Sequence, residues 1–184
     1  ALYPSVVSTT GNARYVRIRS RRFDYLDMAE VQVWGSAAII PATLLSQGKD
    51  ASQSSTYDLP IRDVPLPPSG DFPASRAVDG DSTTFQHTFR EDRPWWMVDL
   101  GDVYAISEIR IWNNHMRECP GHESCPRVSE LDIEFSLDGE DFWLAGTLDE
   151  IALYPSVVSI SGDARYVRIR SRRFDYLDMA EVQV

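Results

Sequence analysis

The sequence predicts an all-β chain, an antiparallel sandwich or barrel, and three observations carry that expectation. Apolar and polar residues alternate at a period of two through most segments, and Gly, Pro and Asp punctuate them. No segment holds a 3.6-residue apolar pattern over roughly a dozen positions, the minimum for a convincing amphipathic helix. A strand sends successive side chains to opposite faces, so alternation gives each strand one buried and one wet face. Short alternating strands between frequent turns make a sandwich or barrel.

Each element follows in chain order. "PWWMVDL" and "AISEIRIW" are candidate strands, the second placing Ile109 and Ile111 together. "SELDIEFSLDGEDFWLAG" sets Leu131, Ile133, Phe135 and Leu137 on one face, turns at Asp138-Gly139 and returns as a second strand. Carboxylates at Asp138, Glu140 and Asp141 are what such a turn expects. "YVRIR" pairs Val167 with Ile169, and "MAEVQV" aligns Ala180, Val182 and Val184. The Pro-rich stretch Leu59 to Pro73 cannot be a central strand, because proline donates no ladder hydrogen bond, and is expected as a long rim loop.

The chain contains one segment twice. Positions 1–33 and 152–184 align with three differences, Thr9/Ile160, Thr10/Ser161 and Asn12/Asp163. The period of 151 residues is the size of a whole domain, not of a solenoid repeat. The expected organisation is therefore a module at 36–184, truncated at its last strand, with residues 1–35 as the C-terminal strands of a preceding repeat, or as swapped strands. The chain reads as a window on a longer tandem array. "GSAAIIPATLL" would be a short, proline-stiffened connector between such modules.

Composition narrows the function. Hydrophobic residues at 43% and aromatics at 11% give a globular rather than a disordered chain. A net charge of −10 argues against nucleic acid or an anionic membrane as partner. No apolar run approaches the roughly 18 residues of a membrane span. The arginines of "RYVRIRSRR" (Arg14, Arg17, Arg19, Arg21, Arg22) and of its repeat from Arg165 alternate with Val and Ile, as a solvated strand face would. The sequence has no H-E-x-x-H, no G-x-S-x-G and no phosphate-cradling glycine loop, so an enzyme is not expected.

Four phrases in order carry a family resemblance: "ASQSSTY", "ASRAVDGDSTTFQHT", "PWWMVDLGDVYAISEIRIWN" and "ARYVRIRSRRFDYLDMAEVQV". From about Ser46 to Val184 they resemble the F-type lectins, fucose-binding members of the discoidin or coagulation-factor C-type superfamily. The resemblance implies an eight-stranded antiparallel jelly-roll-like β-sandwich with ligand and metal sites in its end loops.

Asp79-x-Asp81-x-Thr83 superficially matches an EF-hand, but that loop would need Gly at Thr84 and Glu at Arg90. The resemblance implies a different calcium site: Asp79 and Glu181 as carboxylate ligands, with carbonyls near Arg76 and Asp81. Hard oxygen ligands from distant segments would pin the loop to the last strand.

The resemblance also implies a sugar fork of one histidine and two arginines donating to hydroxyls, a task that suits the several N–H groups of a planar guanidinium. His87 matches the histidine and Arg127 the second arginine. The family spacing expects the first arginine at 114, where the chain has Asn114; the next is Arg117, three residues on. Cys119 and Cys125 lie in the same loop. A disulfide between them fits an extracellular module and the family habit of a cysteine pair beside the sugar. The run His115, Cys119, His122, Cys125 also has four zinc-type ligands, so both readings stand.

Two functions follow from these features. One is a non-enzymatic repeat module of an extracellular or cell-surface adhesin or filament, with a calcium-stabilised lectin fold and neighbouring copies of itself as partners. The other is a dedicated fucose-binding lectin acting on fucosylated or other glycans through multivalency.

Overall fold

Trp96, Val98 and Leu100 are fully buried while Met97 and Asp99 between them are not, so the tryptophan-rich phrase forms the strand its alternation predicts. It begins the longest element of a computed structural model that describes residues 7–8, 16–21, 25–26, 28, 31–33, 42–58, 71–114, 125–152 and 155–184. Most of the Pro-rich segment (59–70) and of the cysteine loop (115–124) lies outside the described residues. The chain divides into two units, 1–41 and 42–184. In the first, none of the described residues belongs to a strand, and Val16, Ile18, Val31 and Val33 are exposed.

The second unit is antiparallel β throughout. Its strands are β1 (Asp50–Gln53), β2 (Gln86–His87), β3 (Glu91–Asp92), β4 (Trp95–Asn113), β5 (Leu131–Ser136), β6 (Trp143–Leu148), β7 (Ser156–Ser171), β8 (Phe174–Asp175) and β9 (Asp178–Gln183). Ala74–Val78 and Cys125–Arg127 form 3-10 turns. The main sheet has the order β2-β9-β4-β7-β5-β6, with β1 also on β4, and β3 pairs β8 separately. This is the all-β antiparallel class the sequence predicts, with nine strands among the described residues where the resemblance implies eight.

Two expected strands prove to be one. "PWWMVDL" and "AISEIRIW" both belong to β4, whose pairing with β7 shifts register between Asp99 and Tyr104 and again between Ile106 and Glu108. Burial follows even numbers through Leu100 and odd numbers from Ile109 to Asn113. An extra residue in one strand flips its alternation and bends it. The β4–β7 ladder is broken at these two points, and the core gathers Trp96, Leu100, Ile109, Ile111, Leu131, Ile133, Phe135 and Ile169.

Other expectations shift by a residue. Leu131, Ile133 and Phe135 are core, but Leu137 lies past the end of β5 and is 51% exposed. In the turn that follows, Gly139 has a φ of 84° and the Asp138 carboxylate accepts the Glu140 and Asp141 amides. Arg168 and Arg170 are not simply solvated: both hold Glu134, which is 6% exposed, Arg168 Nε at 2.6 Å. On β9 the register skips Ala180, since Trp112 faces Glu181 and Asn113 faces Met179. Met179, not Ala180, thus continues the core face of Val182. The bulge turns Asp178 and Glu181 to the other side, where the end loops lie.

Candidate functional site

The β2–β9 pairing sets His87 opposite Asp178. The 3-10 turn of Cys125–Arg127 brings a third side chain to the same point, and Arg127 Nη1 donates to Asp178 Oδ2 at 3.1 Å. His87 Nε2 lies 3.8 Å from that same oxygen. Asp178 is fully buried, so its charge must be compensated, and Arg127 supplies the compensation. Three segments far apart in sequence thereby meet at one carboxylate.

Aromatic rings enclose this point. The Arg127 guanidinium lies 4.5 Å above the Tyr176 ring, and the His87 ring meets Tyr57 at 4.7 Å and, in a T-shaped pair, Tyr176 at 5.3 Å. Backbone bonds fix the loops that carry them: Tyr57 N donates to His87 O, His87 N to Phe72 O, and Phe72 N to Tyr57 O. Gln53 Nε2 adds bonds to the Phe72 and His87 carbonyls at 3.1 and 3.2 Å.

Burial pushes the His87 pKa down to about 4, and the Arg127 charge lowers it further, against the opposing hydrogen bond to Thr88. The ring is neutral at pH 7. Because a carbonyl can only accept, His87 Nδ1 carries the proton and donates to Thr88 O at 2.6 Å. Nε2 is left with a lone pair, so His87 accepts where the resemblance implies a donor. The His87 Nε2 lone pair, the Arg127 N–H groups beyond the one given to Asp178 and the flanking tyrosine rings are the polar and apolar contacts this point could give a polyhydroxylated ring.

Asn114 follows directly on β4 and is half-buried. Arg117, Cys119, His115 and His122 lie outside the described residues, and Cys125 opens the turn that carries Arg127. Asp178, Tyr57, Phe72 and Tyr176 were not legible as site residues. The one available signal was Asp178 itself, a carboxylate between Leu177 and Met179 in an otherwise apolar run.

The acidic loop forms a second centre on the same strand. Asp79 ends the 3-10 turn that contains Arg76. Its Oδ1 accepts the Asp81 amide at 2.8 Å and its Oδ2 the Thr84 hydroxyl at 2.7 Å. Asp81 accepts the Thr83 amide and hydroxyl at 2.9 and 2.6 Å, which lowers its pKa. Gly80 has a φ of 81°, and a Cβ there would lie 2.4 Å from Gln47 Nε2, so the turn requires glycine. Above it, Glu181 is 3% exposed and neither carboxylate oxygen has a hydrogen bond of ordinary geometry. Burial pushes its pKa up to about 7; the Gly80 amide, the next-largest influence, opposes this, as does the Gln183 side chain, while the charges of Asp79 and Asp81 push the same way as burial. Among the described residues no three His, Cys, Asp or Glu side chains gather as a metal cluster. Two carboxylates with loop carbonyls remain, and the orphaned oxygens of Glu181 fit a hard cation that takes oxygen ligands. Asp79 and Glu181 would hold Ca²⁺ with the carbonyls near Arg76 and Asp81; bound there, it would neutralise the acidic loop.

A pH test follows. The folded state keeps the Glu181 proton to higher pH than the unfolded chain does, so its contribution to stability falls as pH rises from 4.5 to about 7. The loss is about 3 kcal/mol at 1.36 kcal/mol per pKa unit. In chelator the melting temperature should be higher at pH 5 than at pH 8, calcium should raise the pH 8 value, and Glu181→Gln should remove both effects. A calcium response that survives in Glu181→Gln would take Glu181 out of the site.

A family model and solved structures match this chain. The F5/F8 type C model, described as a NedA-like, galactose-binding domain, matches residues 76–169. The chain is similar to the lectin domain of lectinolysin, solved with Lewis B antigen, at 27% identity and a TM-score of 0.63, covering 79% of this chain and 97% of that one. It also resembles a Streptococcus pneumoniae fucose binding module, SpX-3, at 22% identity and a TM-score of 0.61, covering 78% and 97%. The family 32 carbohydrate-binding module of Clostridium perfringens NanJ, solved with galactose, is similar at 21% identity and a TM-score of 0.59, covering 77% and 97%.

Proposed function

Since the chain belongs to the F5/F8 type C family of NedA-like, galactose-binding domains, we propose that residues 36–184 are a non-enzymatic carbohydrate-binding module for terminal fucose or a related hexose. The observation that carries this reading is the meeting of His87 and Arg127 on the buried Asp178 between Tyr57 and Tyr176. Arg127 donates to vicinal hydroxyls, His87 Nε2 accepts from one, and a tyrosine face covers the C–H side of the ring. Calcium at Asp79 and Glu181 holds the loop beside this site.

Calorimetric titration of the calcium-loaded protein with terminal fucosides and galactosides tests it. His87→Ala and Arg127→Ala should each weaken binding by about 1–3 kcal/mol, the cost of an unpaired polar partner. Binding of neither sugar class by the folded protein would reject the module as a lectin.

The repeated segment favours a second role alongside the first. Thirty-three aligned positions with three differences point to residues 1–35 as the last strands of a neighbouring module in an extracellular adhesin or filament. Repetition would raise the avidity of individually weak sites without any new contact.

A further inference from the structure

We propose that Arg173 and Asp175 are positioning residues for the sugar site, a role that rests on the carbohydrate-binding reading above. Together they tie the backbone of Tyr176 to the turn that carries Arg127. The fork of Arg173 makes the connection. Its Nη1 donates to Pro126 O at 2.7 Å and to Ser129 Oγ at 3.2 Å, while its Nη2 donates to Asp175 Oδ2 at 2.9 Å. The other oxygen of that carboxylate, Asp175 Oδ1, accepts the Tyr176 amide at 2.9 Å. Pro126 immediately precedes Arg127. One guanidinium and one carboxylate thus join the main chain on both sides of the 4.5 Å stack of Arg127 on Tyr176.

The Arg127 turn needs an outside hold. Cys125–Arg127 is a single 3-10 turn, an element whose own hydrogen bonds are few and poor in geometry. Shortly after it, Glu130 has a φ of 51°, in the left-handed region that residues other than glycine rarely adopt. Pro126 O meets Ser129 Oγ at 2.5 Å as well as Arg173 Nη1, so both its lone pairs are used. Arg173 can serve as the hold because its own backbone is fixed. Its N–H donates to Ser171 Oγ at 3.1 Å, and its carbonyl accepts the Arg93 amide at 2.9 Å. The direction of Arg127 matters, since it must reach Asp178 while its plane covers Tyr176.

Stability alone does not account for this bracket. The Arg173 side chain is 30% exposed and that of Asp175 21%, and an ion pair so open to water adds little to folding. Glu130 Oε1, 3.9 Å from Arg173 Nε, adds only a distant charge. What the guanidinium supplies is geometry. Its donors diverge at fixed angles in one plane, so acceptors on two segments are kept at a set spacing. A lysine in the same place would keep the charge and lose the fork.

Three readouts test the role: calorimetric titration with methyl fucoside and methyl galactoside, thermal melting, and the NMR Nε–Hε signal of Arg127. That signal is identified by its absence from Arg127→Ala. Arg173→Met and Arg173→Lys should both melt cooperatively and close to the parent. Both should bind sugar about tenfold more weakly, the size of coupling within one hydrogen-bonded network, and broaden the Arg127 signal. Asp175→Asn keeps an acceptor for the Tyr176 amide and loses the Arg173 pair. It should behave in the same way, and it carries the test if the Arg173 variants do not fold. Adding Arg173→Met to Arg127→Ala should weaken binding no further; a further loss counts against the role. Parental binding by the folded variants, or weaker binding with an unchanged Arg127 signal, would overturn the proposal. So would failure of all three to fold, which would make the pair an anchor of the fold. If the parent binds neither sugar, the lectin reading falls by itself and the Arg127 signal decides. Broadening in Arg173→Met then supports the hold on Arg127, and a sharp signal overturns it.

Discussion

Replacing Asp178 by alanine is expected to remove sugar binding and much of the stability together. The residue is fully buried and is the common partner of Arg127 and His87. Truncating one member of a buried, hydrogen-bonded charge pair costs about 2–5 kcal/mol in binding, or on the order of a hundredfold in affinity. For folding, the penalty sits near the lower end of the roughly 3–5 kcal/mol seen when a buried pair is broken. The Arg127 side chain retains 22% exposure and can turn part of its charge to water. Asp178→Asn should keep more of the stability than of the binding, since it keeps the shape and loses the charge that orients the guanidinium. Calorimetry and melting on the two variants separate these effects, and an Asp178→Ala protein that binds fucosides like the parent would exclude Asp178 from the site.

The second large effect is structural. Trp96 is fully buried and its Nε1 donates to Ala74 O at 2.9 Å, joining the core to the 3-10 turn that leads into Asp79. Trp96→Ala should destabilise by about 3–5 kcal/mol through the cavity it leaves. Trp96→Phe fills most of that volume but strands the Ala74 carbonyl, at a cost of about 1–3 kcal/mol. It should also weaken the calcium response more than its stability loss alone accounts for, because the acidic loop hangs from that bond. Equal calcium shifts in Trp96→Phe and the parent would show that the loop holds its position without it.

How far the sequence could be read depends on whether a residue's role is local. The core faces of β5 and of the final part of β7 were legible because Ile133, Phe135, Val167 and Ile169 obey strict alternation within one strand. The union of two phrases into β4 was not, since the breaks at Asp99 and Ile106 reverse the parity that alternation relies on. Leu137 continued a correct pattern past the end of its strand. At the site, His87 and Arg127 could be named from the family resemblance, but the carboxylate that unites them could not. Asp178 acquires its role from the β2–β9 register and from a turn near residue 126, neither of which leaves a mark in the local sequence. Glu181 and Asp178 both face the end loops because the ladder skips Ala180, a bulge no local pattern announces.

Leu45 N donates to Val184 O at 2.7 Å, and that tie has a mechanical meaning. The backbone enters and leaves this domain at one spot, so a load applied through those two residues bypasses most of the sheet and falls first on a short cluster of bonds: Leu45 to Val184, and Ser46 to Val182 and Val184. Once these part, the next element under tension is β9, which carries both Glu181 and Asp178. Pulling would strip Glu181, the calcium ligand proposed above, and the carboxylate beneath Arg127 before it reached the pairing of β5 with β6. The grip on a sugar and the resistance to extension are thereby assigned to the same six-residue strand.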